Sequence, residues 1–517
     1  MLLLSLFVLL CILLLYYYMT RRYTYWLERN VPYPKPSLFF GNNRNVAMLK
    51  ITVGENLQRI YKMYEGYPFV GMYELVTPVL LLRDLKLIKH ILVKDFVYFQ
   101  SRGIAANEHV DPLTANLINL SGPRWRNLRT KLTPAFTSGK IRHIFGLFTD
   151  VSEKFKQFVN QCADTGEPVD IRDLSVKFTT EVIATCFFGL ETNTIQNGNS
   201  EFRKMCKTVL DPSLILAIKR CVRDYMPGVF KWLSISLNPS DVIIYFMRIV
   251  NEMITHRQMN NITRNDIMQV LMDLRYKKIQ QDTFAAQSQD ISSEANDIVI
   301  DDKLIAAQVY IFFLAGFETS STTMSFAMYE LAANPEIQKK LYDEIQSVFE
   351  KHRCISYDAI CEMEYLDRVI RETLRKYPPV AMTQRVCEER YQIPDTDVII
   401  EKGTKVLVPI YAIHHDPLYY ENPNIFDPDR FLDENKKLRN NYTFLPFGDG
   451  PRICIGMRFA YMQTKIGLVT LIANFEAELS EKTVTPLQFE PTTFTLTSKY
   501  DIWLKIRRRL QDQAGKS

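Results

Sequence analysis

The longest uninterrupted apolar run opens the chain. Met1–Thr20 contains no charged side chain and is mostly Leu, Val, Ile and Phe. About 20 apolar residues are enough for a helix to cross a bilayer. Tyr16, Tyr17 and Tyr18 close the run, and Arg21 and Arg22 follow. That order suits an interfacial aromatic belt with its positive flank on the cytosolic side. A cleaved leader would carry its positive charge before the apolar run and small residues at a cleavage site; this run has neither. The pattern predicts a retained anchor over residues 1–20. Pro32, Pro34 and Pro36 resist helix and stiffen a connector. Residues 21–40 therefore read as a proline-rich linker, 41–510 as the folded body and 511–517 as a flexible tail.

Within the body the apolar spacing is mostly helical. One helix is predicted from Asp302 to Asn334, with Asn334 as N-cap and Pro335 in the first turn of the next. Another runs from Met363 to Tyr377, where Pro378 and Pro379 stop it. Strand-like segments are few. Tyr67–Tyr73 and Pro78–Leu82 read as a hairpin. Val398–Ile400 and Lys405–Val408 read as a second, turned at Lys402–Gly403. Gln280–Asp297 is polar and reads as a surface loop. The expected class is mainly α with small β-sheets.

Composition narrows this little. The 517 residues are 47% hydrophobic and 23% charged, ordinary for a globular chain. A net charge of +5 is small for this length and does not argue for nucleic acid. No Gly/Ser-rich linker or internal repeat divides the body. Nine cysteines are scattered without a C-x-x-C pair, which suits a reducing compartment better than a disulfide framework.

One cysteine stands apart. Phe447–Gly448–Asp449–Gly450–Pro451–Arg452–Ile453–Cys454–Ile455–Gly456 places it in a loop between glycines, two residues after an arginine. A metal bound by several thiolates would need further cysteines close by, and none is near. A single thiolate suits a planar cofactor that brings four nitrogen ligands of its own, namely heme. Axial thiolate pushes electron density toward bound oxygen and favours O–O cleavage. Gly450 and Gly456 are expected to adopt torsions closed to other residues and to let the chain pass close to the macrocycle. Amides around Cys454 would tune the sulfur, and Arg452 is placed to fork onto a heme carboxylate.

The pattern F-x-x-G-x-R-x-C-x-G, met at Phe447, Gly450, Arg452, Cys454 and Gly456, resembles the signature of the heme-thiolate monooxygenases, the cytochromes P-450. Ala315–Gly316–Phe317–Glu318–Thr319 resembles that family's oxygen-activating helix. Glu372–Thr373–Leu374–Arg375 resembles its E-x-x-R helix, Pro428–Asp429–Arg430–Phe431 its P-x-R-F segment, and Trp125–Arg126–Asn127–Leu128–Arg129 its W-x-x-x-R helix. Asp429 stands where the family commonly has glutamate. The resemblance runs along nearly the whole chain. Pro68–Phe69–Val70–Gly71, Leu132–Thr133–Pro134–Ala135–Phe136–Thr137–Ser138–Gly139–Lys140 and Ala315–Gly316–Phe317–Glu318–Thr319–Ser320 are similar to the insect microsomal branch.

The resemblance implies a cytochrome P-450 fold, with heme b between the long helix and the cysteine loop. It implies Cys454 as axial iron ligand, with Phe447, Gly456 and Ala315 against the heme. Trp125, Arg129, Arg452 and Arg385 would lie at its propionates, and Arg102 is a further candidate. Oxygen activation consumes protons; Thr319 would position them and Glu318 would supply them. The alternative from the residues alone is that Thr319 bonds back to its own helix and Glu318 is solvated. Glu372, Arg375 and Arg430 would form a buried bracing network. Arg124, Arg126, Lys131, Lys140, Arg142, Arg458 and Lys465 would ring the face that meets a reductase. Leu117, Ile118, Leu214, Ile215, Phe312, Phe313, Val380, Met382 and Phe494 would line an apolar substrate pocket.

No Gly-rich dinucleotide fingerprint is evident. Electrons are therefore expected from an NADPH-dependent flavoprotein reductase, with cytochrome b5 as a second donor and O₂ as co-substrate. The implied setting is the endoplasmic reticulum membrane, with the body in the cytosol. The implied substrates are lipophilic foreign compounds such as insecticides or plant toxins. An endogenous hormone or lipid hydroxylase, a reductase-independent isomerase and a non-catalytic heme protein binding hydrophobic ligands stay open at this point.

Overall fold

A computed structural model of the chain describes residues 2–190, 192–196, 201–210, 213–264, 266–276 and 300–509. The expected loop Gln280–Asp297 and the expected tail 511–517 lie outside the described residues. Leu2–Arg22 forms one helix, and its apolar side chains are turned outward, with Leu3 84% exposed. The proline-rich segment that follows is docked on the body. Trp26 is fully buried and its indole N–H donates to the Met72 carbonyl at 3.0 Å, while Gly71 N–H donates to the Pro32 carbonyl at 2.8 Å.

The strands are β1 (Phe69–Glu74), β2 (Thr77–Leu82), β3 (Val169–Asp170), β4 (Thr383–Val386), β5 (Tyr391–Gln392), β6 (Ile399–Ile400), β7 (Lys405–Val408), β8 (Phe475–Leu479) and β9 (Trp503–Arg508). They form sheets ordered β1-β2-β7-β4, β3-β9-β8 and β5-β6. The first expected hairpin is β1–β2, antiparallel with Phe69 opposite Leu82. The second does not form. β6 pairs with β5, while β7 runs parallel to β2 and antiparallel to β4. The reason lies in β7 itself. Val406, Leu407 and Val408 are buried, and a strand apolar on both faces takes an interior place in a sheet. A two-stranded hairpin would have left it at an edge.

The helix Asp302–Ala333 is the centre of the larger core. Asp301 caps it, accepting the Leu304 N–H at 2.8 Å. Its sequence is apolar around most of its circumference, the pattern of a helix packed on all sides. The helix Ile171–Ile183 crosses close against it: a Cβ at Gly316 would sit 2.3 Å from Ile183 Cδ1. Asn334 ends the central helix and takes the expected N-cap position of the next one, Pro335–His352, but without a side-chain capping bond. Its amide instead donates to the Glu330 carbonyl at 2.8 Å. The helix Glu364–Lys376 stops at Tyr377, whose ring stacks on Phe326 at 4.4 Å.

Candidate active site

The Cys454 loop turns where only glycine turns easily. Gly448 and Gly450 have φ of +71° and +73°, the region that favours glycine. A Cβ at Gly450 would also lie 1.9 Å from the Leu92 carbonyl oxygen. Gly456 departs from expectation: its φ of −88° is open to any residue. Gly450 carries the torsion expected of it, and Gly448 carries the second. A Cβ at Gly456 would meet nothing nearer than Phe136 at 3.9 Å, so that side of the loop is free to pass close to a flat group. Cys454 N–H donates to the Phe447 carbonyl at 3.0 Å, and the Phe447 ring packs on Tyr461 at 5.3 Å. The sulfur lies just ahead of the helix Met457–Asn474, whose N-terminal dipole favours an anion. Burial pushes the Cys454 thiol above its usual range; the Gly456 amide, Arg129 and Arg102 pull it back. Cys454 exposes surface nonetheless, so it lines an interior space instead of being packed over. Ala315, midway along the central helix, is likewise exposed while Phe312, Phe313, Phe317 and Glu318 around it are buried. Phe136 spans the two regions, packing on Phe312 at 5.4 Å and lying beside Gly456.

Arginines crowd the same place. Arg452 donates to the carbonyls of Gln100, Leu117 and Leu120 at 2.9, 3.4 and 2.7 Å and lies 3.9 Å over the Trp125 ring. Its fork is thus committed to main chain, and Trp125 braces it. Arg102 donates to the Arg452 carbonyl at 3.1 Å. Arg385 is 1% exposed and its Nε has no partner among the described residues. Burial, then repulsion from Arg102 and Arg385, pushes Arg452 down to about 8. Burial likewise pushes Arg385 to about 9 and Arg102 to about 10. A guanidinium does not give up its proton in a protein, so this cluster calls for anions. The two carboxylates of a heme answer that need, and the single thiol faces the same space. The residues present fit the cofactor expected from the sequence.

Glu372 and Arg375 are both fully buried. Arg375 Nε and Nη2 donate to the two carboxylate oxygens at 2.7 and 2.8 Å. Asp427 N–H donates to Oε1 at 3.0 Å, and Arg430 Nε lies 3.4 Å from it. The three residues form one network, with Arg430 in ionic contact only. Burial pushes the Glu372 carboxyl up, against the pull of Arg375.

Thr319 donates its hydroxyl to the Ala315 carbonyl at 2.7 Å. A hydroxyl keeps two acceptor lone pairs when it donates, so the oxygen can still receive a bond. Glu318 is not solvated: it is 3% exposed. Its Oε1 accepts from Arg172 at 3.3 Å and Thr495 at 3.1 Å, while Oε2 is buried without a partner among the described residues.

Other expected positions divide. Leu117, Phe312 and Phe313 are buried, whereas Leu214, Ile215 and Phe494 are 60%, 69% and 62% exposed. Phe313 packs on Phe202 and Phe317 at 4.5 and 4.7 Å, inside the core. Of the basic face, Lys465 is buried beside Asp367 at 3.4 Å and does not belong to it. Arg124 is forked onto Glu108 and Arg142 is paired with Asp358; Arg458 and Lys140 are exposed. Sequence reasoning missed Arg172, Thr495 and Gln308. Gln308 holds Leu117 N–H at 2.9 Å and the Ala115 carbonyl at 3.0 Å. No local signal marks them, because their partners lie far off in the chain.

Comparison with known proteins bears on this geometry. A family model described as cytochrome P450 matches residues 31–504. Probable cytochrome P450 6a13 of Drosophila melanogaster is 39% identical over 496 residues, covering 96% of each chain. Cytochrome P450 6A1 of Musca domestica is 36% identical over 498 residues, covering 95% of each. Cytochrome P450 6k1 of Blattella germanica is 35% identical over 491 residues, covering 93% of each.

Proposed function

The chain belongs to the cytochrome P450 family of heme-thiolate monooxygenases, and from that premise we propose that it oxidises lipophilic foreign compounds, with Cys454 as the axial ligand of heme b. Held there, heme would supply the activation of O₂ by which one oxygen atom enters a substrate C–H bond and the other leaves as water. The overall reaction is R–H + O₂ + NADPH + H⁺ → R–OH + H₂O + NADP⁺.

The observation that carries the reading is the meeting of the Cys454 loop with buried arginines: Arg102 donates to the Arg452 carbonyl at 3.1 Å, and Arg385 is 1% exposed with an Nε that has no partner among the described residues. Arg385 and Arg102 hold cofactor carboxylates, while Arg452, held by three carbonyls and Trp125, fixes the loop that presents the sulfur. The Thr319 oxygen, its proton directed to Ala315, accepts from a water on the cofactor side. Glu318 keeps Oε1 on Arg172 and Thr495, leaving Oε2 as the atom that takes up and passes a proton.

Apolar residues such as Leu117 and Phe312 favour a substrate held by shape and burial. The insect relatives, together with that apolar character, support foreign lipophilic compounds as the class. The exposed apolar helix Leu2–Arg22, ending in Arg21 and Arg22, supports an anchor in the endoplasmic reticulum membrane with the body in the cytosol. A flavoprotein reductase delivers electrons at the face carrying Lys140 and Arg458, with cytochrome b5 as a second donor. Reconstitution with reductase and NADPH against a panel of insecticides, plant toxins, steroids and fatty acids tests this, with products read by mass. Hydroxylated toxins are expected; turnover confined to a steroid or fatty acid would replace the substrate class.

A further inference from the structure

His414 plays no part in the account so far, yet it is completely buried between the two halves of the heme-binding apparatus. Its Nδ1 lies 3.2 Å from the Arg375 carbonyl oxygen, and its Nε2 lies 2.9 Å from the Leu445 amide nitrogen. A carbonyl only accepts and an amide N–H only donates. Nδ1 must therefore carry the proton and Nε2 the lone pair. In return, Arg375 Nη1 donates to the His414 carbonyl at 2.9 Å, and the imidazole stacks on Phe444 at 5.5 Å and 19°.

From Leu445 the connection runs into the cysteine loop. Gly448 N–H donates to the Leu445 carbonyl at 3.0 Å, and Cys454 N–H to the Phe447 carbonyl at 3.0 Å. We propose that His414 is a positioning residue for the cysteine loop: a neutral imidazole, protonated on Nδ1, tying the buried end of the Glu364–Lys376 helix to the main chain where the loop begins. Burial first, then the proximity of His415 and of the Arg375 guanidinium, disfavours its protonated form and keeps it neutral. An imidazolium would turn a second N–H against the Leu445 amide and break the strut. Neither carboxamide side chain reproduces both bonds. Glutamine reaches the Leu445 amide with Oε1, and asparagine reaches only the Arg375 side.

The proposal rests on Cys454 being the thiolate ligand, and its test separates the two. In the reduced carbon monoxide complex, His414→Gln should keep most of the thiolate-type band. His414→Asn and His414→Phe should shift a large share to the thiol-type band. Hydrogen exchange at residues 444–450 should quicken about tenfold in His414→Asn and His414→Phe but not in His414→Gln, the change expected when one buried hydrogen bond is lost. Equal behaviour of Gln and Asn, or the reverse order, overturns the proposal. A wild-type chain with no thiolate-type band overturns the ligand assignment instead. Should the variants fail to accumulate, the wild-type chain still decides. It has seven histidines, and His415 Nδ1 also faces a carbonyl, that of Tyr411, at 2.8 Å; ¹⁵N-histidine spectra of the reduced carbon monoxide complex should therefore show two rings neutral and protonated on Nδ1 between about pH 5.5 and 8, one of them coupled through its Nε2 hydrogen bond to the Leu445 amide. The absence of that coupled ring overturns it.

Discussion

Removing the Glu372 carboxylate should cost the protein its heme before it costs any catalytic step. In Glu372→Ala, Arg375 stays fully buried but loses both charge-assisted bonds, at 2.7 and 2.8 Å. Breaking a buried pair on one side typically costs about 3–5 kcal/mol. The Asp427 N–H loses its acceptor as well, a further penalty of about 1–3 kcal/mol if it stays buried. Against this, Arg375 keeps the carbonyls of His414 and Pro423 at 2.9 and 2.8 Å. We therefore expect a net loss of about 3–5 kcal/mol, a large part of the 5–15 kcal/mol that ordinarily separates native from unfolded chains. Glu372→Gln keeps the volume and one acceptor and should fall between. The assay is heme content per chain, followed by urea unfolding read by heme absorbance and by far-ultraviolet circular dichroism. The bracing role is refuted if Glu372→Ala loads heme normally and unfolds at the wild-type midpoint. It is equally refuted if heme content holds and only turnover per heme falls.

Three further outcomes are expected. Thr319→Ala should lower product formed per NADPH several-fold and raise peroxide release, with Thr319→Ser largely restored; unchanged coupling would remove Thr319 from proton handling. Burial, reinforced by Asp501 and Asp173, raises the Asp170 carboxyl to about 6. A folded pKa above the unfolded value means the native state binds the proton more tightly, so stability falls as pH rises from about 4 to 6 and levels off above. Asparagine keeps the cap on Arg172 N–H, so Asp170→Asn should stabilise by up to about 2–3 kcal/mol near pH 7.5 and by little near pH 4.5; a pH-independent difference in melting temperature would contradict this. Turnover with reductase should fall as salt rises from about 0.05 to 0.5 M; indifference to ionic strength would count against docking at Lys140 and Arg458.

The features legible in the sequence are those decided within a few residues. The Cys454 loop, the central helix from Asp302 and the β1–β2 hairpin each depend on neighbours along the chain. What escaped depends on partners far away. β7 joins β2 across more than three hundred residues, so its pairing with β6 was a local guess. Glu318 meets Arg172 and Thr495 at separations of 146 and 177 residues, and a carboxylate in a helix carries no sign of that. Arg452 shows the same limit: its spacing from Cys454 was visible, but its three carbonyl partners were not. Lys465 is read from its neighbours as surface charge, but its partner Asp367 lies about a hundred residues away and takes it into the interior. The unusual torsion expected at Gly450 is present, whereas the second falls at Gly448 and not at Gly456.

Everything proposed for the site requires an iron–sulfur bond from Cys454. Reduced, undenatured protein exposed to carbon monoxide should show the strongly red-shifted Soret band of thiolate-ligated heme, and Cys454→Ser should lose that band. A band of the imidazole type in the unmodified chain, or a thiolate band that survives Cys454→Ser, would contradict it.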